Sequence, residues 1–182
     1  MPRTIGKLML TYGLLLAGLA NAAESSLIAF SVEDRKGKTR TEKEFIGESF
    51  ILIASDKGGS EYNDAWMTKI QTDLKDGENT APAKILAVAD LSAVPSLMRA
   101  AVKVMLPKPE TINLLLDWEG VFLKAYEFKA GKANILVFSH TGDLIFQDAV
   151  TKLDETKAES IVVLIAEEQK VEKKAKELLA KP

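Results

Sequence analysis

The sequence predicts an α/β domain in which a central mixed, mostly parallel sheet is covered by helices on both faces. Residues 50–54 form a continuous apolar run between polar residues, which is typical of a strand buried on both faces. Apolar side chains then recur at every fourth position from Tyr62 to Leu74, as on one face of an amphipathic helix. Strand patterns alternating with helix patterns favour a layered sheet with helices on either side.

The first half of the chain supplies three strands and two helices. Residues 27–32 predict the first strand, ended by a polar turn at 33–38, and residues 85–89 predict the strand after the first helix. A linker at 75–82 separates that helix from its strand. Pro95 opens a second helix, and Pro107 and Pro109 end it. Its apolar face comprises Leu97, Met98, Ala101, Val102 and Met105.

The second half predicts a strand at 112–116, an ambiguous segment at 121–128 that is compatible with a short helix, and a hairpin. The hairpin strands are residues 134–138 and 144–150, joined by a turn in which Gly142 provides backbone freedom. Asp154 is a candidate cap of a long C-terminal helix, which we expect to extend beyond the sheet as a polar segment at 167–182.

The amino terminus predicts a secretory signal peptide over residues 1–22. Arg3 and Lys7 precede an apolar run at 8–19, and Ala20-Asn21-Ala22 follows as a cleavage site. The apolar run is shorter than the roughly 20 residues that a membrane-spanning helix needs. We therefore expect cleavage after Ala22, a single domain at 23–182, and a soluble periplasmic product if the source is a Gram-negative bacterium.

Composition excludes several classes of function. The chain has a net charge of −2 and no clustered basic surface, which argues against nucleic acid as a partner. It contains no cysteine, so disulfides, thiol nucleophiles and thiolate metal sites are excluded. We expect no cofactor, no metal site and no membrane association after cleavage; the sequence leaves the oligomeric state open.

Three stretches resemble a known family. Residues 115–121, which read LLDWEGV, resemble the LLD-x-x-G-V stretch of thioredoxin-like and peroxiredoxin-like domains, and 124–128 resemble the A-Y-G-V segment that follows it there. Residues 135–145 resemble their strand–turn–strand pattern. With the signal peptide, the chain is most similar to the exported YtfJ-type proteins. The resemblance covers roughly residues 45–166 and implies a thioredoxin-like three-layer α/β/α fold with an extended C-terminal helix.

Departures from that family bear on function. In its thiol-active members, the loop after the strand at 50–54 carries a C-x-x-C pair, whereas here residues 55–62 read SDKGGSEY. The proline that faces the pair in thioredoxins should fall near Lys132 and Ala133, but no proline lies between Glu110 and Lys181. The chain is therefore expected to be neither a thiol oxidoreductase nor a peroxidase.

The glycine-rich loop that precedes the first helix is the candidate binding site. Backbone N–H groups at a helix start can hold an anion, and two lysines would add positive charge. The alternative is purely structural: the glycines form a turn and Ser60 caps the helix. The candidate residues are Asp56, Lys57, Gly58, Gly59, Ser60 and Tyr62, facing Lys132 and Ala133 across a mouth at the end of the sheet.

Other chemically capable residues have structural interpretations. His140 is the only histidine and lies in a predicted hairpin turn, and Asp117 and Asp143 lie in turns that favour aspartate. Trp66 falls on the core period of its helix, whereas Trp118 remains open as a ligand platform. No catalytic residue is assigned.

The charged segment at 167–181 has two interpretations. It is either a solvated end of the last helix, stabilised by pairs of opposite charge one turn apart, or a stalk that binds a partner or a second copy.

Two functions are compatible with these features. The first is an exported, non-redox binding or adaptor module that holds an exported protein, a peptide or a small ligand. The second is a non-thiol enzyme that acts on a small anionic substrate at the loop between Asp56 and Tyr62.

Overall fold

A seven-stranded mixed sheet forms the centre of the computed structural model, which describes residues 26–76, 83–106 and 113–180. The strand order is β2-β1-β5-β4-β3-β6-β7; β3, β4 and β5 are parallel, and the remaining neighbours pair antiparallel. The strands are β1 (Ser31–Asp34), β2 (Thr39–Thr41), β3 (Phe50–Ser55), β4 (Lys84–Asp90), β5 (Asn113–Asp117), β6 (Ala133–Phe138) and β7 (Leu144–Val150).

Helices lie on both sides of this sheet, which confirms the predicted α/β architecture. They are α1 (Ser60–Asp76), α2 (Arg99–Met105), α3 (Val121–Tyr126) and α4 (Glu155–Leu179), with short 3-10 turns at Glu42–Glu44 and Ser96–Met98. Asp154 caps α4 as predicted, because its side chain accepts a hydrogen bond from the Lys157 N–H at 3.1 Å.

The central strand β3 divides the core in two. All six of its residues are buried, and alternate side chains point to opposite faces. Ile51 and Ile53 pack beneath α1 and α4, where Trp66, Ile70 and Ile161 are fully buried. The other face is covered by an aromatic cluster of Phe30, Phe45, Phe50, Phe122, Tyr126 and Phe138.

The first strand was predicted at 27–32, so its predicted start is four residues too early and its predicted end two residues too early. Leu27 donates its N–H to the Gly142 carbonyl at 2.7 Å and packs over the aromatic cluster, so the apolar start of the segment serves as a cover. The strand proper is β1, which extends into the predicted polar turn at 33–38, and a second strand, β2, follows directly after that turn. The buried carboxylate of Asp34 makes this possible, because it accepts the Lys36 and Lys38 N–H groups, both at 2.9 Å.

The second helix differs more from its prediction. It begins as a 3-10 turn at 96–98, and none of the residues in that turn or in α2 is buried. Leu97 is 94% exposed and Met105 is 83% exposed, although their spacing predicted a face packed on the core. Polar contacts attach the helix instead, including the ion pair of Lys103 with Glu33 of β1.

Several predictions fall outside the described residues: the signal peptide at 1–22, the linker from 77 to 82, and the stop formed by Pro107 and Pro109. Within the described residues, the helices are too short or too polar for any of them to cross a lipid bilayer.

Candidate functional site

The candidate residues lie where β3 ends and where β6 begins, at the carboxyl edge of the parallel strands. We call residues 56–59, which join β3 to α1, the Asp56 loop, and residues 129–132, which precede β6, the Lys132 turn. Because β3 and β6 are paired neighbours in the sheet, the loop and the turn meet. This is the edge at which open α/β sheets generally bind ligands.

The carboxylate of Asp56 joins the two segments. Its Oδ1 atom accepts the Gly59 N–H at 2.8 Å within the loop. The Gly131 N–H of the Lys132 turn donates to the same carboxylate, at 3.2 Å to Oδ1 and 3.0 Å to Oδ2. Asp56 therefore supplies the anion that the helix start was expected to take from a ligand.

Gly59 brings the two backbones into direct contact. A Cβ atom built on Gly59 would lie 2.1 Å from the carbonyl oxygen of Lys132 and 2.7 Å from its backbone nitrogen. No side chain fits at that distance, so position 59 requires glycine. The predicted mouth is consequently closed at this point by packed backbone.

Two N–H groups in the first turn of α1 that were expected to be free are bonded within the chain. The Ser60 N–H donates to the Asp56 carbonyl and the Tyr62 N–H to the Gly59 carbonyl, both at 3.1 Å. The Ser60 hydroxyl donates to the Lys57 carbonyl at 2.8 Å instead of capping the helix. Asp56 accepts the N–H of Gly59, next to the start of the helix. The purely structural alternative had assigned this capping role to Ser60.

The remaining candidates differ in how accessible they are. Lys57, Gly58, Ser60 and Lys132 are exposed, whereas Ala133 is fully buried in the core. Tyr62 is half-buried, and hydrogen bonding to Glu61 raises the pKa of its hydroxyl.

The exposed cations of the site are thus Lys57 and Lys132. Neither makes an ion pair with another described residue. Lys132 still influences the nearby Asp148: its charge adds to the larger effect of the Lys157 hydrogen bond in lowering the pKa of that carboxyl.

Sequence reasoning missed the residue that shapes the Lys132 turn. Asn134 is 3% exposed, and its Oδ1 accepts the Lys129 N–H at 2.7 Å. Its Nδ2 donates to the carbonyls of Lys129 and Lys132, each at 3.2 Å. The available signal was a polar amide in the buried-strand run 134–138, since buried polar groups need partners.

An open groove lies beside the turn, along the edge strand β7. Its volume is about 410 Å³, and its surroundings carry both charges and amides. The lining residues are Glu127, Lys129, Asn134, Gln147, Asp148 and Ala149. The groove adjoins the Lys132 turn, because Lys129 belongs to both and Asn134, which also lines the groove, is hydrogen-bonded to the turn.

The other chemically capable residues have structural roles. The carboxylate of Asp117 is fully buried and caps α3, while the Thr141 hydroxyl donates to Asp143 at 2.5 Å within the hairpin turn. His140 Nδ1 lies 2.6 Å from Glu168 Oε1 of α4, which ties the hairpin to that helix.

The two tryptophans also contact other parts of the chain. Trp66 donates its indole N–H to the Thr151 carbonyl at 2.9 Å, and Arg99 lies over the Trp118 ring at 5.4 Å. Among the residues that the structure describes, no group of three or more histidine, aspartate or glutamate side chains could hold a metal ion.

Comparison with known proteins identifies the fold alone. No protein-family model matches the chain, and no curated protein matches it. Among solved structures, it is similar to the pneumococcal exposed lipoprotein thioredoxin of Streptococcus pneumoniae, with a TM-score of 0.57 and 14% identity over 74% of this chain and 98% of that one.

Two further structures share this architecture. The Arabidopsis thaliana ScoI protein with copper bound has a TM-score of 0.56 and 12% identity over 79% of this chain and 97% of its own. The bacterioferritin comigratory protein of Xanthomonas campestris, described for alkyl peroxide reduction, has a TM-score of 0.53 and 13% identity over 80% of this chain and 99% of its own. The chain has a thioredoxin-like fold, as predicted, and it lacks cysteine.

Proposed function

We propose that this chain is an exported, thioredoxin-like binding module without redox activity, related to the YtfJ-type proteins that it resembles. One observation carries the proposal. In the loop where the resemblance would put a C-x-x-C pair, the side chain of Asp56 bonds the backbones of Gly59 and Gly131. A carboxylate with these bonds stabilises a fixed surface and provides no thiol for electron transfer.

The proposed ligand is an extended peptide, or a small molecule, that carries a carboxylate. The exposed side chains of Lys57 and Lys132 lie next to the closed contact at Gly59 and offer two positive charges that form no ion pair with the residues the structure describes. The adjoining groove of about 410 Å³ provides amide and charged groups from Gln147 and Asp148 for the rest of a peptide. Individual exposed charge contacts contribute about 1 kcal/mol or less, so binding should be modest and salt-dependent.

The enzymatic alternative has less support from the geometry. A non-thiol enzyme acting on a small anionic substrate at this loop needs a side chain free to exchange protons. The carboxylate of Asp56, the acidic side chain of the loop, is already hydrogen-bonded to two backbone N–H groups. The geometry therefore favours binding over catalysis.

The binding proposal is tested with two pools of random-sequence decapeptides, one with free and one with amidated carboxyl termini. Each pool is titrated into isotope-labelled protein, and backbone amide shifts are recorded by NMR. We expect the free-carboxylate pool to shift the amides of residues 57–62 and 129–133. The double variant Lys57→Ala/Lys132→Ala should lose at least half of that response.

A matched control removes two lysines from the opposite end of the sheet. Lys36 and Lys43 are exposed, so Lys36→Ala/Lys43→Ala changes the net charge by the same amount and should bind like the parent. Equal shifts with both peptide pools, or equal binding by both double variants, would contradict a carboxylate site at the Lys132 turn.

Export is a separate part of the proposal and has its own test. The protein recovered from the extracytoplasmic fraction of the source cell should have an intact mass that lacks residues 1–22. Recovery of the full-length chain from the cytoplasm would remove this part, whatever the peptide titrations show.

A further inference from the structure

Helix α4 is much longer than the surface that it covers. Its 25 residues span about 37 Å, and its buried residues, Ala158, Ile161 and Ile165, all lie in the first half. Glu172 then accepts the backbone N–H and the hydroxyl of Ser49, both at 3.0 Å. Among the described residues, this is the last hydrogen bond from α4 to another element, so the final two turns project beyond the domain.

A row of apolar side chains follows the outer side of this helix at every seventh position. Leu164 is half-buried because part of it packs against the core, whereas Val171 is 53% exposed and Leu178 is 60% exposed. Residues seven apart lie on the same side of a helix, and a repeat of this period is typical of helices that pair with another helix. No other described element covers Val171 or Leu178.

Two residues of opposite charge lie between the apolar residues of this row, one on either side of Val171. Glu167 lies between the first and second apolar residues, and Lys174 lies between the second and third. Both side chains are exposed, and neither forms an ion pair with another described residue. Glu167 is four residues before Val171 and Lys174 is three residues after it, so reversing the helix about Val171 nearly exchanges the two charges.

This symmetry selects one partner and one orientation. If two copies of α4 lie parallel, Glu167 faces Glu167 and Lys174 faces Lys174, which is repulsive. If they lie antiparallel about Val171, each Glu167 lies beside Lys174 of the other copy, and Leu164 lies beside Leu178. Charges flanking an apolar seam decide orientation in this way in paired helices.

We propose that two copies of this chain associate through the outer face of α4, antiparallel, about a two-fold axis at Val171. The same patch is used by both copies, as in an isologous dimer. The seam is only a few helical turns long, which is small for a stable interface, so the dissociation constant should be on the order of micromolar or weaker. The site at the Asp56 loop plays no part in this contact.

The first experiment measures sedimentation equilibrium over a wide concentration range. The parent protein should show a monomer–dimer equilibrium. Glu167→Lys and Lys174→Glu should each weaken the dimer by about tenfold or more, because each places like charges together across the seam. The double variant Glu167→Lys/Lys174→Glu restores opposite charges and should recover most of the affinity.

Lys173→Glu is the control for net charge. Lys173 is exposed on another side of α4, so this variant carries the same charge change as Lys174→Glu and should dimerise like the parent. Circular dichroism verifies that every variant keeps the helix. A parent protein that stays monomeric at roughly 1 mM would overturn the proposal. A double variant that dimerises no more tightly than either single variant would overturn it too.

The second experiment uses the absence of cysteine, which makes any introduced cysteine unique. Val171→Cys should form a disulfide-linked dimer under mild oxidation, because the two copies of this residue meet on the axis. The two copies of Leu178 would be separated by about 21 Å along the helices, far beyond the roughly 7 Å that a disulfide spans.

Leu178→Cys alone should therefore stay uncrosslinked, whereas an equimolar mixture of Leu164→Cys and Leu178→Cys should crosslink. Efficient crosslinking of Leu178→Cys with itself would indicate parallel helices and overturn the proposed orientation.

Discussion

Asp56 and Asp117 occupy comparable places in the sheet, since each lies at the carboxyl end of a parallel strand. Asp117 is the last residue of β5 and is fully buried. Its two oxygens accept the N–H groups of Val121 at 2.8 Å and Phe122 at 2.9 Å, so it caps the helix that follows. Both partners of its carboxylate lie within five residues of it.

Asp56 follows β3 in the same way but is only half-buried. One of its partners, Gly59, is three residues away, and the other, Gly131, is 75 residues away. The comparison shows that the same side chain at the same edge can stabilise a single helix start or couple two distant segments. The following four predictions test this difference, in order of decreasing expected effect.

Gly59→Ala should have the largest effect. The added methyl group would overlap the Lys132 backbone at 2.1 Å, so the loop and the turn must separate. We expect a loss of about 3 kcal/mol or more in the free energy of unfolding, measured by denaturant titration. Gly58→Ala is the matched control, because its new methyl group meets nothing closer than 3.3 Å and should cost less than about 1 kcal/mol. Equal losses of stability in the two variants would show that the loop and the turn can separate at Gly59 at little cost in free energy.

Asp117→Ala should rank second. It leaves the buried N–H groups of Val121 and Phe122 without their charged acceptor, at a cost of about 2–4 kcal/mol. Asp117→Asn keeps one acceptor oxygen and should lose less. An alanine variant within about 0.5 kcal/mol of the parent would show that water replaces the carboxylate.

Asp56→Ala should cost about 1–2 kcal/mol, less than Asp117→Ala, because only one of its two partners, Gly59, is buried, whereas the N–H of the exposed Gly131 can bond water. Its distinctive effect should be spatial: amide hydrogen exchange should accelerate at Gly59 and also at Gly131, on both segments. In Asp117→Ala, faster exchange should stay within α3. Acceleration at Gly59 alone would show that the coupling to the Lys132 turn is weak.

Asp148 extends the comparison to a carboxylate whose main partner is a side-chain cation. The hydrogen bond from Lys157, followed by weaker contributions that include the charge of Lys132, lowers the pKa of Asp148 below its usual value. Its stabilising contribution is therefore complete above the unfolded-state pKa of about 3.9 and is lost as the pH falls through the lower folded-state value.

Because both partners are more than one third exposed, the contribution should be no more than about 0.5 kcal/mol. Stability curves of the parent and of Asp148→Asn should differ at neutral pH and converge below about pH 3. A constant offset across the whole pH range would contradict an ionic origin.

Most strands of the sheet were predictable from the sequence, because buried segments carry a simple pattern of apolar residues. The apolar run of β3 and the apolar residue at every fourth position from Tyr62 to Leu74 indicate which side chains are buried, and the structure places both sets in the core. The cap at Asp154 was also predictable, since its partner lies three residues away. Local spacing is sufficient wherever the partners are close in sequence.

The site was only partly predictable because its contacts join distant segments. The glycine-rich pattern located the Asp56 loop, but nothing near Asp56 indicates that Gly131 will bond its carboxylate. For the same reason, the spacing of Leu97 and Met105 predicted burial that does not occur. Whether an apolar surface meets that face of α2 depends on segments elsewhere in the chain, which the spacing does not show.

Because α2 has no buried residue and is attached by ion pairs, we expect it to unfold separately from the rest of the domain. Within the described residues, its polar links to the rest of the chain are the ion pairs of Arg99 with Glu119 and of Lys103 with Glu33, together with the contacts of Arg99 with the ring and the carbonyl of Trp118. Ion pairs at the surface weaken as salt is added, whereas the packed core does not. Raising ionic strength should therefore release α2 while the sheet stays protected, which makes this segment the natural place to insert a reporter or to shorten the chain.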